Sequence, residues 1–514
     1  MRTKQAFYIL ISALILQVIT AIAGFMLPPI RIRTYGSSIN GLLASIGQFI
    51  AYLQIVEAGL TTASVQALYK PLSKRDFNQT GTVLSASSKF FNQSGALFAV
   101  LVALLSVIYP MVTKGEVSKS LSFALVILIS IGGLIEFFLG AKYRILLTAD
   151  QKGYVLNFAG VLGTIISTVL AILIMKYDQS IVLLQLSTAV IYFLRVGVIV
   201  LYVKKKYKKI NFKSEPDLKA INKRWDAFIH QIAGIIIFNT PVVIITIFCG
   251  LKLVSIYMVY SVLFGSLGAL INAFSSSLTP AFGELIASSD RINLKKAYLN
   301  FEVFYYALIA FSFATTAIML ISFVKLYTRG IHDANYVDPI LAVLFVVVAI
   351  LNHIRIPQNL IVSASGHFKE TRWRAVAEAV IHITMSLILV QFFGLYGVLL
   401  GSLCSYGYRA IDLIIYGNIH ILKQSPWGSI RRIITNMVPA GLSVFIFCII
   451  LPVVTQNWMS WVINAVGVSF VTILFIIVFN IIFDKGASKE IYQRIRILLW
   501  EIFGRTKKLS KQQN

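Results

Sequence analysis

The residues of this chain best suited to chemistry are charged groups set inside apolar runs. Tyr192, Arg195 and Tyr202 recur as Tyr406, Arg409 and Tyr416, each displaced by 214 residues. Their surroundings are IYFLRVGVIVLY in one half and CSYGYRAIDLIIY in the other. An arginine at mid-bilayer costs about 2.5–3.5 kcal/mol on insertion scales, so its place is beside a cavity or a partner. Arg31, Arg33 and Arg355 also fall in or at the end of apolar runs, as do Gln54, Glu57, Asn239, Glu378, His382 and Asp412. A cavity with excess arginine suits an anion, because guanidinium groups bind phosphate in bidentate fashion. The sequence reading therefore takes Arg31, Arg33, Arg195, Arg355 and Arg409 as ligands for a phosphate or pyrophosphate head group. Glu57, Glu378, His382 and Asp412 are taken as coupling or gating groups. Glu378 and His382 are one helical turn apart and form a candidate proton-sensitive pair. The competing reading makes each residue a bundle-internal ion pair, and Arg409 with Asp412, three apart, suits it.

The elements that must position these groups are transmembrane helices. The chain has 514 residues, 58% hydrophobic and 13% charged, with a mean hydropathy of +0.81. Those values exclude an ordinary soluble domain. At roughly 20 apolar residues per span, about fourteen candidates run from 7–30 to 458–483. The expected fold is all-α and polytopic, with two six-helix bundles related by duplication and two further C-terminal helices. The first run follows Arg2 and Lys4 as a signal peptide would, but its length and Pro28-Pro29 favour a retained helix. The net charge of +26 does not point to nucleic acid. Counted from a cytoplasmic N-terminus, most Lys and Arg fall on inside segments, which places both termini in the cytoplasm. The run Lys204, Lys205, Lys206, Lys208, Lys209 reads as a topology signal and a contact for anionic lipid. Cys249, Cys404 and Cys448 fall in spans and are expected as free thiols.

The expected organisation is a bundle over 1–203, a basic linker over 204–228, a second bundle over 229–424, two helices over 425–484 and a basic tail over 485–514. The tail is partly amphipathic and suits the inner membrane surface. The turn LLTADQKG at 146–153 falls on LIVSASGH at 360–367 under the same displacement. The repeat is parallel, because six spans return the chain to one side.

Enzyme signatures are scarce. There is no Gly-Lys dipeptide, hence no phosphate loop of the ATPase type. The six histidines lack metal spacing and no Gly-x-Ser-x-Gly elbow occurs. No cofactor, metal or nucleic-acid partner is expected. Work would come from an ion gradient, H+ or Na+, or from membrane potential, about 2.3 kcal/mol per charge per 100 mV.

Several segments resemble one family. They include YGSSINGLLASIGQFIAYLQIVEAGL at 35–60, ALYKPLSKRD at 67–76, YRILLTADQKGYV at 143–155 and IHQIAGIIIFNT at 229–240. LTPAFGELIAS at 278–288, FEVFYYALIAF at 301–311, LYTRGIHDANYVDP at 326–339 and ASGHFKETR at 364–372 continue the series. Together they resemble the oligosaccharide flippases (polysaccharide biosynthesis proteins) of the superfamily that also contains multidrug and toxin exporters. The resemblance covers about residues 1–425. It implies transfer of an undecaprenyl-pyrophosphate-linked oligosaccharide to the outer leaflet of a bacterial plasma membrane, in support of capsule, exopolysaccharide or another envelope polymer. It further implies alternating access by two bundles, with a cytoplasmic gate at 68–76, 146–153, 284–290 and 363–370, and other polysaccharide synthesis proteins as partners. One departure is Pro241 after Asn239-Thr240, where many relatives carry an aspartate. Three rivals compete: a cation-coupled drug exporter of the same fold, a membrane enzyme acting on the same lipid-linked sugar, and a non-transporting scaffold for polysaccharide synthesis. An exporter of cations calls for an acid-rich cavity, and an enzyme for a large outer loop.

Overall fold

The structure, a computed structural model, describes residues 2–483 apart from 58, 114, 213, 218–223 and 289. Side chains at 2–4, 6, 224–231 and 233 are likewise undescribed. The expected tail 485–514 lies outside these residues, as does part of the linker 204–228.

The described chain is all-helical. Thirteen helices are long and apolar enough to cross a membrane, and a shorter apolar stretch, Gly234–Phe248, lies within a fourteenth. The first half comprises α1 (Arg2–Tyr35), α2 (Ser37–Leu53), α3 (Leu60–Lys74), α4 (Phe77–Val112), α5 (Lys119–Ile135), α6 (Ala141–Ala149), α7 (Gly153–Lys176) and α8 (Ile181–Lys206). The second comprises α9 (Arg224–Phe248), α10 (Leu251–Ala287), α11 (Arg291–Tyr327), α12 (Pro339–Ile354), α13 (Ile356–Ala364), α14 (Phe368–Phe393) and α15 (Leu395–Tyr416), followed by α16 (Trp427–Phe445) and α17 (Trp458–Phe483).

The displacement seen around the arginines governs these boundaries. The helices α2, α4 and α8 begin 214 residues before α10, α11 and α15. The local chemistry repeats with them. Asp76 caps α4 by accepting from Gln79 N–H at 2.8 Å, and Asp290 caps α11 by accepting from Asn293 N–H at 3.1 Å. Each cap satisfies a backbone donor that the first helical turn leaves open. Gly36 and Gly250, also 214 apart, hold φ values of +84° and +93°. That conformation suits glycine and lets two spans meet at a corner of one residue at Gly36 and two at Cys249-Gly250.

Two details differ from the sequence expectation. The first helix does not stop at Pro28-Pro29 but continues to Tyr35, which membrane helices tolerate because neighbours re-satisfy freed backbone groups. The even-numbered connections are also shorter than expected: α3 runs to Lys74 and α10 to Ala287. The polar residues there prolong a helix into the interface rather than form a loop.

The described residues divide into two compact units. One holds residues up to Val262 with 330–335 and 382–398; the other holds Leu263–Arg329, Tyr336–Ile381 and residues from Leu399 onward. In the first unit, Leu42, Ile46, Phe98, Tyr109, Leu125, Leu146 and Val203 form one continuous core. The same unit contains a reciprocal pair of helix caps. Asp333 accepts from Ser37 N–H at 2.6 Å and Ser37 Oγ at 2.7 Å, closing the start of α2. Glu116 accepts from Leu251 N–H at 2.8 Å, closing the start of α10. A Cβ on Gly36 would lie 3.3 Å from Asp333 Oδ2, and one on Gly250 would overlap Glu116 Oε1. Beneath the caps, Asn40 donates to Ser255 Oγ and Thr246 to Ser45 Oγ, both at 2.7 Å.

In the second unit α16 and α17 pack on α11. Ala310, Ala314, Ala440 and Ile476 form one contact layer and Ile318, Met319 and Val468 another. Small residues let membrane helices approach closely. Arg432 of α16 pairs with the fully buried Glu302 of α11, whose carboxylate also accepts from Tyr298, Tyr306 and Gln358.

Candidate functional site

In the first unit, a cavity of about 450 Å³ lies among the 3₁₀ turn Gln54–Glu57, α5, α6 and α8. Three features of local sequence open it. Gly132 and Gly133 remove side chains from the end of α5. A π-helical turn over Glu136–Gly140 then turns Glu136 inward. π-turns of this kind recur at functional sites. Gly140 gives room for that carboxylate, since a Cβ there would sit 2.6 Å from Glu136 Oε2.

The cavity holds two acids and two arginines. Arg144 bridges the acids: Nη2 donates to Glu57 Oε1 at 2.7 Å, and Nε lies 2.6 Å from Glu136 Oε1. The second contact is an ion pair by distance whose N–H is not aimed along a hydrogen bond. Tyr192 donates to Glu136 Oε2 at 3.0 Å and Thr61 to Glu57 Oε1 at 2.5 Å. Arg195 differs. Its guanidinium stands 5.8 Å from the centre of the Tyr192 ring, and no carboxylate lies within ion-pair reach of it among the described residues. Its stem runs along Gly163 of α7, and a Cβ added at Gly160 would stand 3.3 Å from its Nη2. The cavity is formally neutral, yet it presents one unpaired guanidinium.

The second unit holds the matching position in a different state. Arg355 sits at the break between α12 and α13. It pairs with Glu378, donates to Asn352 Oδ1 at 2.7 Å, and lies 4.8 Å from the Tyr406 ring centre. Arg409 donates to Asp412 at 2.7 Å and reaches Glu378 at 3.4 Å. Arg374 also pairs with Asp412. The side chains of Arg409, Glu378 and Asp412 are only 7, 4 and 8% exposed. Three guanidiniums face two carboxylates, an excess of one positive charge.

The arginine excess expected of the whole set therefore narrows to one unpaired arginine in the first half and one surplus charge in the second. Glu378 spends its oxygens on Arg355 and Arg409, although His382 follows one turn later on α14. Arg31 donates to Asn40 Oδ1 at 2.8 Å, and Arg33 is exposed. Asn239 donates to the Ile235 carbonyl at 2.8 Å within its own helix. Glu136, Arg144, Arg374 and Glu302 escaped the sequence reading. An acid in the run ISIGGLIEFFLGAKYR was a usable signal, and Arg144 lies two turns beyond it. Arg374 and Glu302 stand close to helix starts rich in surface residues, where an ion pair inside the bundle leaves no periodic mark.

Neither family models nor curated proteins match the sequence. Solved structures do. An inward-facing multidrug resistance MATE family transporter of the MOP superfamily superposes with a TM-score of 0.62 at 16% identity, covering 79% of this chain and 95% of that one. The lipid II flippase MurJ in an inward closed conformation superposes with 0.60 at 15%, covering 93% and 98%. A eukaryotic MATE transporter gives 0.53 at 13%, covering 85% and 99%. The chain has the MATE and MurJ fold. The MurJ superposition takes in more of the chain than either MATE one, and this chain carries α16 and α17 beyond its two six-span halves.

Proposed function

We propose that this protein is a flippase for an isoprenoid-pyrophosphate-linked oligosaccharide, working by alternating access. The observation that carries the reading is Arg195, a guanidinium without a counter-ion at the wall of a membrane-embedded cavity. Burying such a charge is unfavourable unless function retains it. A phosphate oxygen on Arg195 would complete its hydrogen bonding, and Arg144 lies within the same cavity to add a second donor. Taking Arg144 would release Glu57 or Glu136 from its ion pair. Head-group binding and the Glu57–Arg144–Glu136 bridge are then linked through one arginine. Arg355 and Arg409 supply the surplus charge of the second half, where an anion must displace a carboxylate to bind. Arg31 and Arg33 stand at the end of α1, suited to meeting the head group there. His382, Glu378 and Asp412 remain candidates for gating.

The reciprocal caps of Asp333 on α2 and Glu116 on α10 belong to odd-numbered connections, which share one membrane face. By the charge distribution of the chain this is the outer face. We assign them to the closed outer gate. The MurJ-like length and the buried arginines favour a lipid-linked anion over a cationic drug.

The test is complementation of a flippase-deleted bacterium at matched membrane abundance. Wild type should restore surface glycan. Arg195→Ala should fail to restore it and should accumulate lipid-linked precursor on the inner leaflet. Full export by Arg195→Ala would overturn the reading.

A further inference from the structure

On the face of α8 next to the arginine cavity lies a second hollow, about 420 Å³, walled by Phe138, Leu139, Phe193, Gly197 and Leu201. Phe138, Leu139, Phe193 and Leu201 are exposed, and on a membrane span exposed apolar side chains face acyl chains. Lys142 and Lys204 also line this hollow. Lys142 is half-buried with its ammonium 5.3 Å from the Tyr143 ring centre, and neither lysine has a carboxylate within ion-pair reach among the described residues. The two ammoniums are close enough to repel one another. An apolar groove with two unneutralised like charges lacks one component, an anion attached to a hydrocarbon chain.

We infer that this groove binds an anionic phospholipid of the bilayer, its phosphate between Lys142 and Lys204 and one acyl chain along Gly197. Nothing lies within 4 Å of where a Cβ on Gly197 would stand, so the floor of the groove is open. The groove shares α8 and the π-turn with the arginine cavity: Val196 lines both, while Glu136 faces one side and Phe138 the other. The inference does not depend on the transport reading.

Native mass spectrometry of the full chain in detergent, titrated with phosphatidylglycerol or phosphatidylcholine, tests it. Phosphatidylglycerol should bind with one tight site that phosphatidylcholine lacks. Each lysine removed should weaken that site roughly fivefold, so Lys142→Ala with Lys204→Ala should weaken it roughly 25-fold. Lys205→Ala with Lys208→Ala, exposed lysines outside the groove, should leave it unchanged. Gly197→Leu fills the groove without altering charge. It should remove the tight long-chain lipid while short-chain phosphatidylglycerol still binds. Equal binding to parent and lysine variant, or indifference to Gly197→Leu, would overturn the proposal. So would displacement of the bound lipid by an equimolar polyprenyl phosphate, which would give the groove to the cargo instead.

Discussion

Arg195 and Arg409 occupy equivalent places in a duplicated helix, yet one is unpaired and the other is held by two carboxylates. In the first half the acids are spent on Arg144, leaving Arg195 with only an aromatic face. In the second, the buried Glu378 and Asp412 take up Arg355 and Arg409, together with the more exposed Arg374. Duplication conserved the position of the charge and let its electrical surroundings diverge. One copy is left available for a ligand, whereas the other is locked unless something competes for its partners.

The largest effect separating the halves should come from their acids. Glu378→Ala strips a carboxylate from two buried arginines, and breaking a buried pair from one side costs about 3–5 kcal/mol. We expect strongly reduced thermal stability in detergent and low membrane abundance. Glu57→Ala leaves Arg144 with Glu136, and the pair is partly exposed, with 35 and 22% of the side chains accessible. Solvent screening holds that loss to about 1 kcal/mol or less. Equal melting temperatures for the two variants would break the comparison.

Arginine removal should keep the order of stability loss but shrink the gap. Arg409→Ala leaves each acid with one arginine, Glu378 with Arg355 and Asp412 with Arg374, so stability should fall by only about 1 kcal/mol. Arg195→Ala removes an uncompensated membrane charge and should be neutral or stabilising. Transport should separate them differently. Loss of a charge-assisted contact to phosphate, about 1.5–3 kcal/mol, predicts a roughly 10- to 100-fold fall in flipping rate for Arg195→Ala in proteoliposomes. A smaller fall for Arg409→Ala would confirm that the paired copy contributes less to binding.

The fold was largely legible because hydropathy sets helix number directly and the 214-residue displacement could be found from three side chains. The site was only half legible. Arg195, Glu57, Glu378 and Asp412 stand in apolar runs, where charge is conspicuous. Arg144 and Arg374 sit within eight residues of a polar turn, where an arginine is unremarkable, and only the π-turn at Glu136 brings Arg144 to two acids at once. Which arginine is unpaired depends on neighbours distant in sequence, and no local pattern encodes that. Asp333 and Glu116 were hidden for the same reason: each is an ordinary loop acid whose partner is the start of a helix more than a hundred residues away.

A finer comparison concerns the two caps. Gly36→Ala and Gly250→Ala each impose a side chain at positive φ and push it towards the capping carboxylate, costing about 1 kcal/mol or more in the capped state. Both should shift spin-label distances across the odd-numbered connections, for instance between Ser120→Cys and His332→Cys in a chain with Cys249, Cys404 and Cys448 replaced by serine. The shift should be larger for Gly250→Ala, where the overlap with Glu116 is more severe. An unchanged distance distribution in both would remove the caps from the gate.

The smallest effect is that of pH on the Asp333 cap. Partial burial opposes ionisation of Asp333, but the N–H and hydroxyl of Ser37, its own backbone N–H and the charge of Lys252 together hold its carboxyl below the ordinary 3.8. A depressed carboxyl adds stability above its unfolded value and loses it as pH falls through the folded one. The cap should therefore be constant from about pH 8 to pH 5 and weaken only below about pH 4. Spin-label distances across the outer face should then be flat over pH 5–8 without substrate. A pH dependence within that range would show that a group other than the Asp333 carboxylate sets these distances.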